Sequence, residues 1–192
     1  MKTEYKGYTI TIERDEYPSN PREDDNLGTM ICGHRNYTLG DVQYRESYEF
    51  HDAVDEITNN PENIWLPIYM YEHSGIVLST KPFSDRWDSG QLGIIYCEKE
   101  KYEKSFPNLK GEELVKAVTG NLEDELETYN QYVQGEVYEY TVQKDGETLD
   151  SCCGFYGEDF CLEVAKRTVD YYWKKEAEKF IPGLEPVEAN NK

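Results

Sequence analysis

The chain has 192 residues with 38% hydrophobic and 14% aromatic content, which excludes a disordered chain and suits one core of roughly 100–200 residues. Thirty-nine Asp and Glu against 20 Lys and Arg give a net charge of −19, so direct nucleic-acid binding is not expected and basic protein surfaces should be attracted. No run approaches the ~20 apolar residues that span a membrane, and the five cysteines (Cys32, Cys97, Cys152, Cys153, Cys161) are odd in number and lack CxxC spacing, so reduced and mostly buried thiols are expected.

Residues 1–14 lack the basic start and apolar stretch of a signal peptide, which makes a cytoplasmic protein the expectation. Within them, residues 5–13 alternate Tyr8, Ile10 and Ile12 with Thr9, Thr11 and Glu13, the period of a half-buried strand. Residues 14–26 concentrate Pro18, Asn20, Pro21 and acids including Asp24 and Asp25, which predicts an exposed loop. Residues 27–34 are a short apolar run, expected to return as the antiparallel partner of the first strand. A polar connection at 36–41 leads to 47–57, where Phe50, Val54 and Ile57 mark one helix face that ends before Pro61.

Residues 64–71 and 75–80 read as a hairpin, with Gly75 supplying the unusual dihedral. Residues 91–98 contain the near-continuous apolar run LGIIYC, which predicts a central strand buried on both faces. Between them the polar loop 81–90 carries Phe83 and Trp87, both expected to anchor it onto the body. After a charged helical turn at 99–105, residues 112–133 space Val115, Val118, Leu122, Leu126, Tyr129 and Val133 as one apolar stripe, with Glu113, Glu123, Asp124 and Glu127 opposite. Gly120 and Asn121 leave open whether this is one helix or two. Residues 136–143 and 148–153 form a second hairpin around Asp145-Gly146, with one of Cys152 and Cys153 expected to face inward. Gly154 and Gly157 should end that strand, and residues 158–180 read as a long helix packed on the sheet. The expected fold class is therefore α+β: a single domain over 1–181, with an antiparallel or mixed sheet of hairpins covered by two longer helices, and a frayed tail at 182–192.

No complete catalytic motif is present. His34, His51 and His73 have no short fixed spacing, so no metal is expected, and without a GxGxxG or GxxxxGKS/T loop no nucleotide cofactor is expected. Ser74 and Ser89 do not sit in GxSxG elbows. Asp85 and Asp88 could form an acid–base pair in a cleft with His73, Arg86, Trp87 and Gln91, but Asp beside Ser and Gly is above all a loop-forming composition. A charge of −19 exceeds the ~2–8 that keeps a small domain in solution.

Residues 71–102, YEHSGIVLSTKPFSDRWDSGQLGIIYCEKEKY, and 145–166, DGETLDSCCGFYGEDFCLEVAK, resemble a group of small acidic proteins of bacteriophages and mobile elements. These share an HSG, a WDSGQ followed by an apolar strand, and a DSC-GFYG followed by a helix. The resemblance implies phage biology and the host cytoplasm, and assigns no residue a role. DNA-mimic anti-restriction proteins are similar in charge and size alone.

Three functions follow as expectations. The first is a phage inhibitor that binds a bacterial defence protein, at a basic or nucleic-acid-binding surface, through Asp24, Asp25, Glu113, Glu123, Asp124 and Glu127. That acidic surface would imitate nucleic acid in the extreme case. The second is a small enzyme or nucleotide-signal-binding protein with a cleft at His73, Asp85, Arg86, Trp87, Asp88 and Gln91. The third is an adaptor or sequestering protein that uses some of the 17 tyrosines. The oligomeric state has no sequence signature.

Overall fold

The computed structural model describes residues 1–179. In chain order its elements are β1 (Lys2–Tyr5), β2 (Tyr8–Arg14), a 3-10 turn (Pro21–Glu23), β3 (Thr29–Gly33), β4 (Val42–Tyr44), α1 (Ser47–Asn59), β5 (Ile64–Glu72), β6 (Ile76–Ser79), β7 (Ser89–Cys97), α2 (Lys99–Ser105), α3 (Gly111–Val133), β8 (Val137–Lys144), β9 (Glu147–Tyr156) and α4 (Glu158–Lys179). The α+β class is the one read from the sequence. The strands, however, form two sheets where one was expected, ordered β1-β2-β8-β9 and β4-β3-β7-β5-β6. Two compact units result, one of Met1–Pro18 with the chain from Val137 onward, the other of Ser19–Glu136. The tail expected at 182–192 lies outside the described residues.

In the first unit, residues 5–13 are a hairpin and not one strand. Lys6 and Gly7 take φ of +50° and +80°, the primed turn that brings Tyr5 opposite Tyr8. The alternation beyond the turn holds: Tyr8, Ile10 and Ile12 are buried with Tyr140 and Val142 under Cys161, Ala165 and Val169 of α4. Asp145 and Gly146, also at positive φ, make the expected turn between β8 and β9. Gly154 does not end β9. It sits at φ +82° where the register with β8 slips between Tyr138 and Tyr140, a bulge that lets the strand reach Tyr156. Because the bulge breaks the alternation on an edge strand, Cys152 and Cys153 are both exposed, contrary to the inward-outward pair expected.

In the second unit β7 is central, as its apolar run predicts, with Leu92, Ile94, Ile95 and Cys97 buried. Residues 27–34 do not join the first strand: β3 lies antiparallel to β7 and parallel to β4. Its buried Met30, Ile31 and Cys32 need cover on both faces, which this interior position supplies. A Cβ at Gly93 would stand 2.0 Å from the Ile31 carbonyl oxygen, so this close strand approach requires glycine. Helix α3 is continuous through Gly120 and buries Val118, Leu122, Leu126 and Tyr129 against one face of the sheet, while Val115, expected in that stripe, is exposed. Buried Asn130 accepts the Leu78 amide at 2.7 Å, tying β6 to α3. In the β5–β6 turn it is Ser74, not Gly75, that takes positive φ, at +57°.

The segment 14–26, expected to be an exposed loop, turns inward at Pro21 and Arg22. The Arg22 side chain is 3% exposed and donates to acceptors on three residues: both Asp41 carboxylate oxygens at 2.9 and 2.7 Å, Glu125 at 2.9 Å, and the Gly28 carbonyl at 2.7 Å. Glu125 in turn accepts the Leu27 amide at 2.6 Å, and Asp41 accepts the Met30 amide at 2.7 Å. Burial works to lower the Arg22 pKa, but its hydrogen bonds to Asp41 and Glu125 outweigh this and raise it. Arg22→Ala leaves the largely enclosed Glu125 and the more exposed Asp41 without their cation, and the expected loss in urea unfolding is about 2–4 kcal/mol, somewhat less than for a fully buried pair. A loss within the ~0.5 kcal/mol typical of surface changes would contradict this role.

Burial pushes the Cys32 thiol up to about 12, and those of Cys97 and Cys161 to about 11, from an ordinary 9.0. A raised folded-state pKa contributes stability that is complete below the unfolded value and is lost as pH rises toward the folded one. Stability should therefore decline as pH climbs from about 9 toward 11–12. A thiol reagent at neutral pH should modify Cys152 and Cys153 alone until the chain is unfolded, as mass spectrometry of the labelled peptides would show.

Candidate functional site

Topology gathers one set of polar residues at a single end of the five-stranded sheet. Because β7 runs antiparallel to β3 and β5, and β4 runs parallel to β3, the chain leaves β3, β4 and β5 at the end where it enters β7. His34 and Arg35 follow β3, Arg45 and Glu46 follow β4, the first turn of α1 begins at Ser47, His73 follows β5, and Trp87 and Asp88 precede β7. All three histidines of the chain are at or beside this end.

The loop 81–90 is ordered by its own side chains. Asp85 Oδ1 accepts the Trp87 amide at 2.8 Å and the Asp88 amide at 3.2 Å, and its carbonyl accepts the Ser89 hydroxyl. The Glu72 amide donates to the Asp88 carbonyl at 2.8 Å, which ties the loop to β5. Phe83 rests against Tyr71, ring centres 5.7 Å apart, and Tyr71 stacks on His73 at 6.2 Å. Phe83 thus anchors the loop as expected. Trp87 does the reverse: it is 96% exposed, on a backbone fixed by Asp85.

Asp85 and Asp88 hold different posts. Asp85 receives backbone amides, which keep its carboxyl below the ordinary 3.8. Asp88 Oδ2 lies 2.9 Å from His73 Nδ1, so the pair leaves Nε2 of the imidazole free of that contact. Ser89 is committed to the Asp85 carbonyl, so the His73–Asp88 pair has no nucleophile from that neighbour. Arg86 is exposed and makes no ion pair among the described residues.

Two clefts open at this end. One, of about 420 Å³, is lined by His34, Met70, Glu72, Trp87, Asp88, Gln91 and Leu92 among others. The other, of about 440 Å³, lies between the ends of β3 and β4 and the start of α1, and is lined by His34, Arg35, Tyr44, Arg45, Glu46, Phe50, His51 and Gln91 among others. His34 and Gln91 border both. The shape has local causes. Leu92 is an extra residue in β7, since Ile68 pairs with Gly93 and Tyr69 with Gln91, and this bulge redirects the strand beside Gln91. Tyr37 stacks on His34 at 5.1 Å and donates to Glu72 at 2.6 Å, fixing one wall.

Of the residues that sequence reasoning grouped here, Trp87, Asp88 and Gln91 line the cleft, His73 reaches it through Asp88, Asp85 only orders the loop, and Arg86 is exposed outside the lining. That reasoning did not bring His34, Arg35, Arg45 and His51 to this end, because they come from other strand ends and α1, 22 or more residues before His73, and obey no motif spacing.

The acids named from sequence, Glu113, Glu123, Asp124 and Glu127 on α3 with Asp24 and Asp25 after the 3-10 turn, are all exposed. None of the six makes an ion pair among the described residues. Glu123, Asp124 and Glu127 border a shallow cleft with Ser79, Thr80 and Lys81, where the loop begins. No group of three or more His, Cys, Asp or Glu that could hold a metal occurs among the described residues, and none of their helices is long and apolar enough to cross a membrane.

Because Asp85 is depressed, the loop's order should be complete above the ordinary carboxylate range and be lost as pH falls through the lowered value. The Trp87 and Asp88 amide resonances should titrate together with a midpoint below 3.8 and should collapse in Asp85→Ala. A midpoint above 3.8 would remove Asp85 as the organiser. No protein-family model, curated protein or solved structure matches the chain.

Proposed function

We propose that the protein is a phage-encoded inhibitor that binds a bacterial defence protein through the acidic surface of its second unit. The carrying observation is that Glu113, Glu123, Asp124 and Glu127 stand on solvent without a cationic partner among the described residues. Their charge is available to a basic or nucleic-acid-binding patch. Magnitudes decide between a general acidic complement and strict mimicry of DNA. From Glu113 to Glu127 the helix rises ~21 Å at ~1.5 Å per residue, a length over which duplex DNA carries about 12 charges. Four carboxylates fall well short of that density, so complementarity to a basic patch is the better-supported form.

Ligand binding in the His73–Asp88 cleft is a second reading, favoured by a fully presented Trp87 on a preorganised loop. Aromatic side chains so placed supply contact area with little ordering cost.

The first reading is tested by reversing Glu123, Asp124 and Glu127 to Lys and comparing partner capture from bacterial lysate at about 50 and 500 mM salt, between which the Debye length shrinks severalfold. The expected result is a partner retained by the native chain at low salt, released at high salt, and lost on reversal. Capture indifferent to both salt and reversal would rule the acidic surface out.

A further inference from the structure

We propose that the cleft between β3, β4 and α1 is an anion site that takes the phosphate of a small nucleoside phosphate, with Trp87 flanking the base in the adjoining cleft. The proposal deepens the ligand-binding reading and is independent of the acidic-surface one.

The first argument is charge. In a chain of net charge −19, this cleft is lined by Arg35, Arg45, His34 and His51 against the single carboxylate of Glu46. Neither arginine makes an ion pair or hydrogen bond among the described residues, although acids outnumber bases almost two to one in the chain. Two guanidinium forks without partners at the mouth of one cleft match the planar donor geometry that phosphate accepts. The two carboxylates of the adjoining cleft, Glu72 and Asp88, are engaged by the Tyr37 hydroxyl and by His73. Charges beyond about 8 Å are largely screened at physiological ionic strength, whereas groups lining the cleft act at contact distance.

The second argument is donor direction. His34 Nδ1 accepts the Asn36 and Tyr37 amides, both at 3.3 Å, so the ring hydrogen is on Nε2 and that edge is a donor. His51 Nδ1 lies 2.5 Å from the Ser47 carbonyl, which can only accept, so Nδ1 carries a hydrogen there and holds the ring against the first turn of α1. That turn has no side-chain cap, which leaves its amides as additional donors beside the arginines.

The third argument is shape. A Cβ at Gly33 would lie 2.8 Å from the Phe50 ring, so the glycine allows Phe50 to close down on β3 and floor the cleft. The volume of about 440 Å³ falls within the ~300–1,000 Å³ of small-molecule sites. The neighbouring cleft, joined through His34 and Gln91, presents Trp87, and every nucleobase offers a π face to such a ring.

The test is an amide and indole NMR titration of the full chain with ADP, inorganic phosphate and adenosine. ADP should saturate and shift residues 33–36, 45–51 and the Trp87 indole, phosphate should shift the first two groups only, and adenosine should bind more weakly than ADP. Arg35→Gln and Arg45→Gln, made separately, should each weaken ADP by about 10-fold, the scale of one charge-assisted contact. Both arginines are exposed, so spectra that overlay the native one elsewhere establish that the variants fold. Absence of saturation by both ADP and phosphate up to about 10 mM, a very weak limit, overturns the proposal. So do native-like ADP affinities in both variants. Adenosine binding as tightly as ADP would overturn the anion site while leaving a ligand cleft at Trp87.

Discussion

The second unit depends on where Arg22 places its charge. One guanidinium, shut off from solvent, joins the 3-10 turn to Asp41 ahead of β4, to Glu125 on α3, and to the Gly28 carbonyl ahead of β3. Enclosing an ion is costly unless its donors are met, and here they are met by two carboxylates that themselves bind backbone amides. An apolar replacement could fill the same volume, but it would not set the direction in which β3 and β4 leave the turn. That direction matters at the far end of both strands, where His34, Arg35 and Arg45 emerge. The buried cation thus positions the exposed ones.

Several elements were legible because one local signal governed them. The apolar run of β7 demanded a central strand, Asp145-Gly146 demanded a primed turn, and the apolar spacing of α4 demanded a covered face. Elements decided by tertiary partners were not legible. Lys6 adopts left-handed backbone only because Tyr5 and Tyr8 pair across it, and β3 chose β7 over β2 because it needed cover on both faces. Arg22 lies in a segment read as an exposed loop, and nothing nearby in sequence reveals Asp41 and Glu125. The site follows the same division. The loop half, from His73 to Gln91, is continuous in sequence and could be read. The half formed by His34, Arg35, Arg45 and His51 exists only after β3, β4 and α1 have been brought to the sheet's end.

Charge is distributed unevenly within this unit. Helix α3 covers one face of the sheet and presents its acids outward, while the few arginines left unpaired gather at the sheet's end. A strongly acidic protein that still keeps unpaired arginines along one cleft presents two surfaces of opposite charge. The field of dispersed surface acids reaches farther and is weakened by salt, whereas groups lining a cleft act at contact distance.

The sheet margins bear on how the molecule behaves in a crowded solution. An unpaired strand edge is a template for a second chain, and three of the four margins are kept very short: β1 and β6 have four residues and β4 has three. The exception is β9, with ten. Its bulge at Gly154 bends the row of amides and carbonyls that a neighbour would need in register, and Glu147 adds like-charge repulsion to any copy lying alongside. The kink at Gly154 therefore acts as a guard against fibrous self-assembly, protecting the longest edge that the fold leaves open.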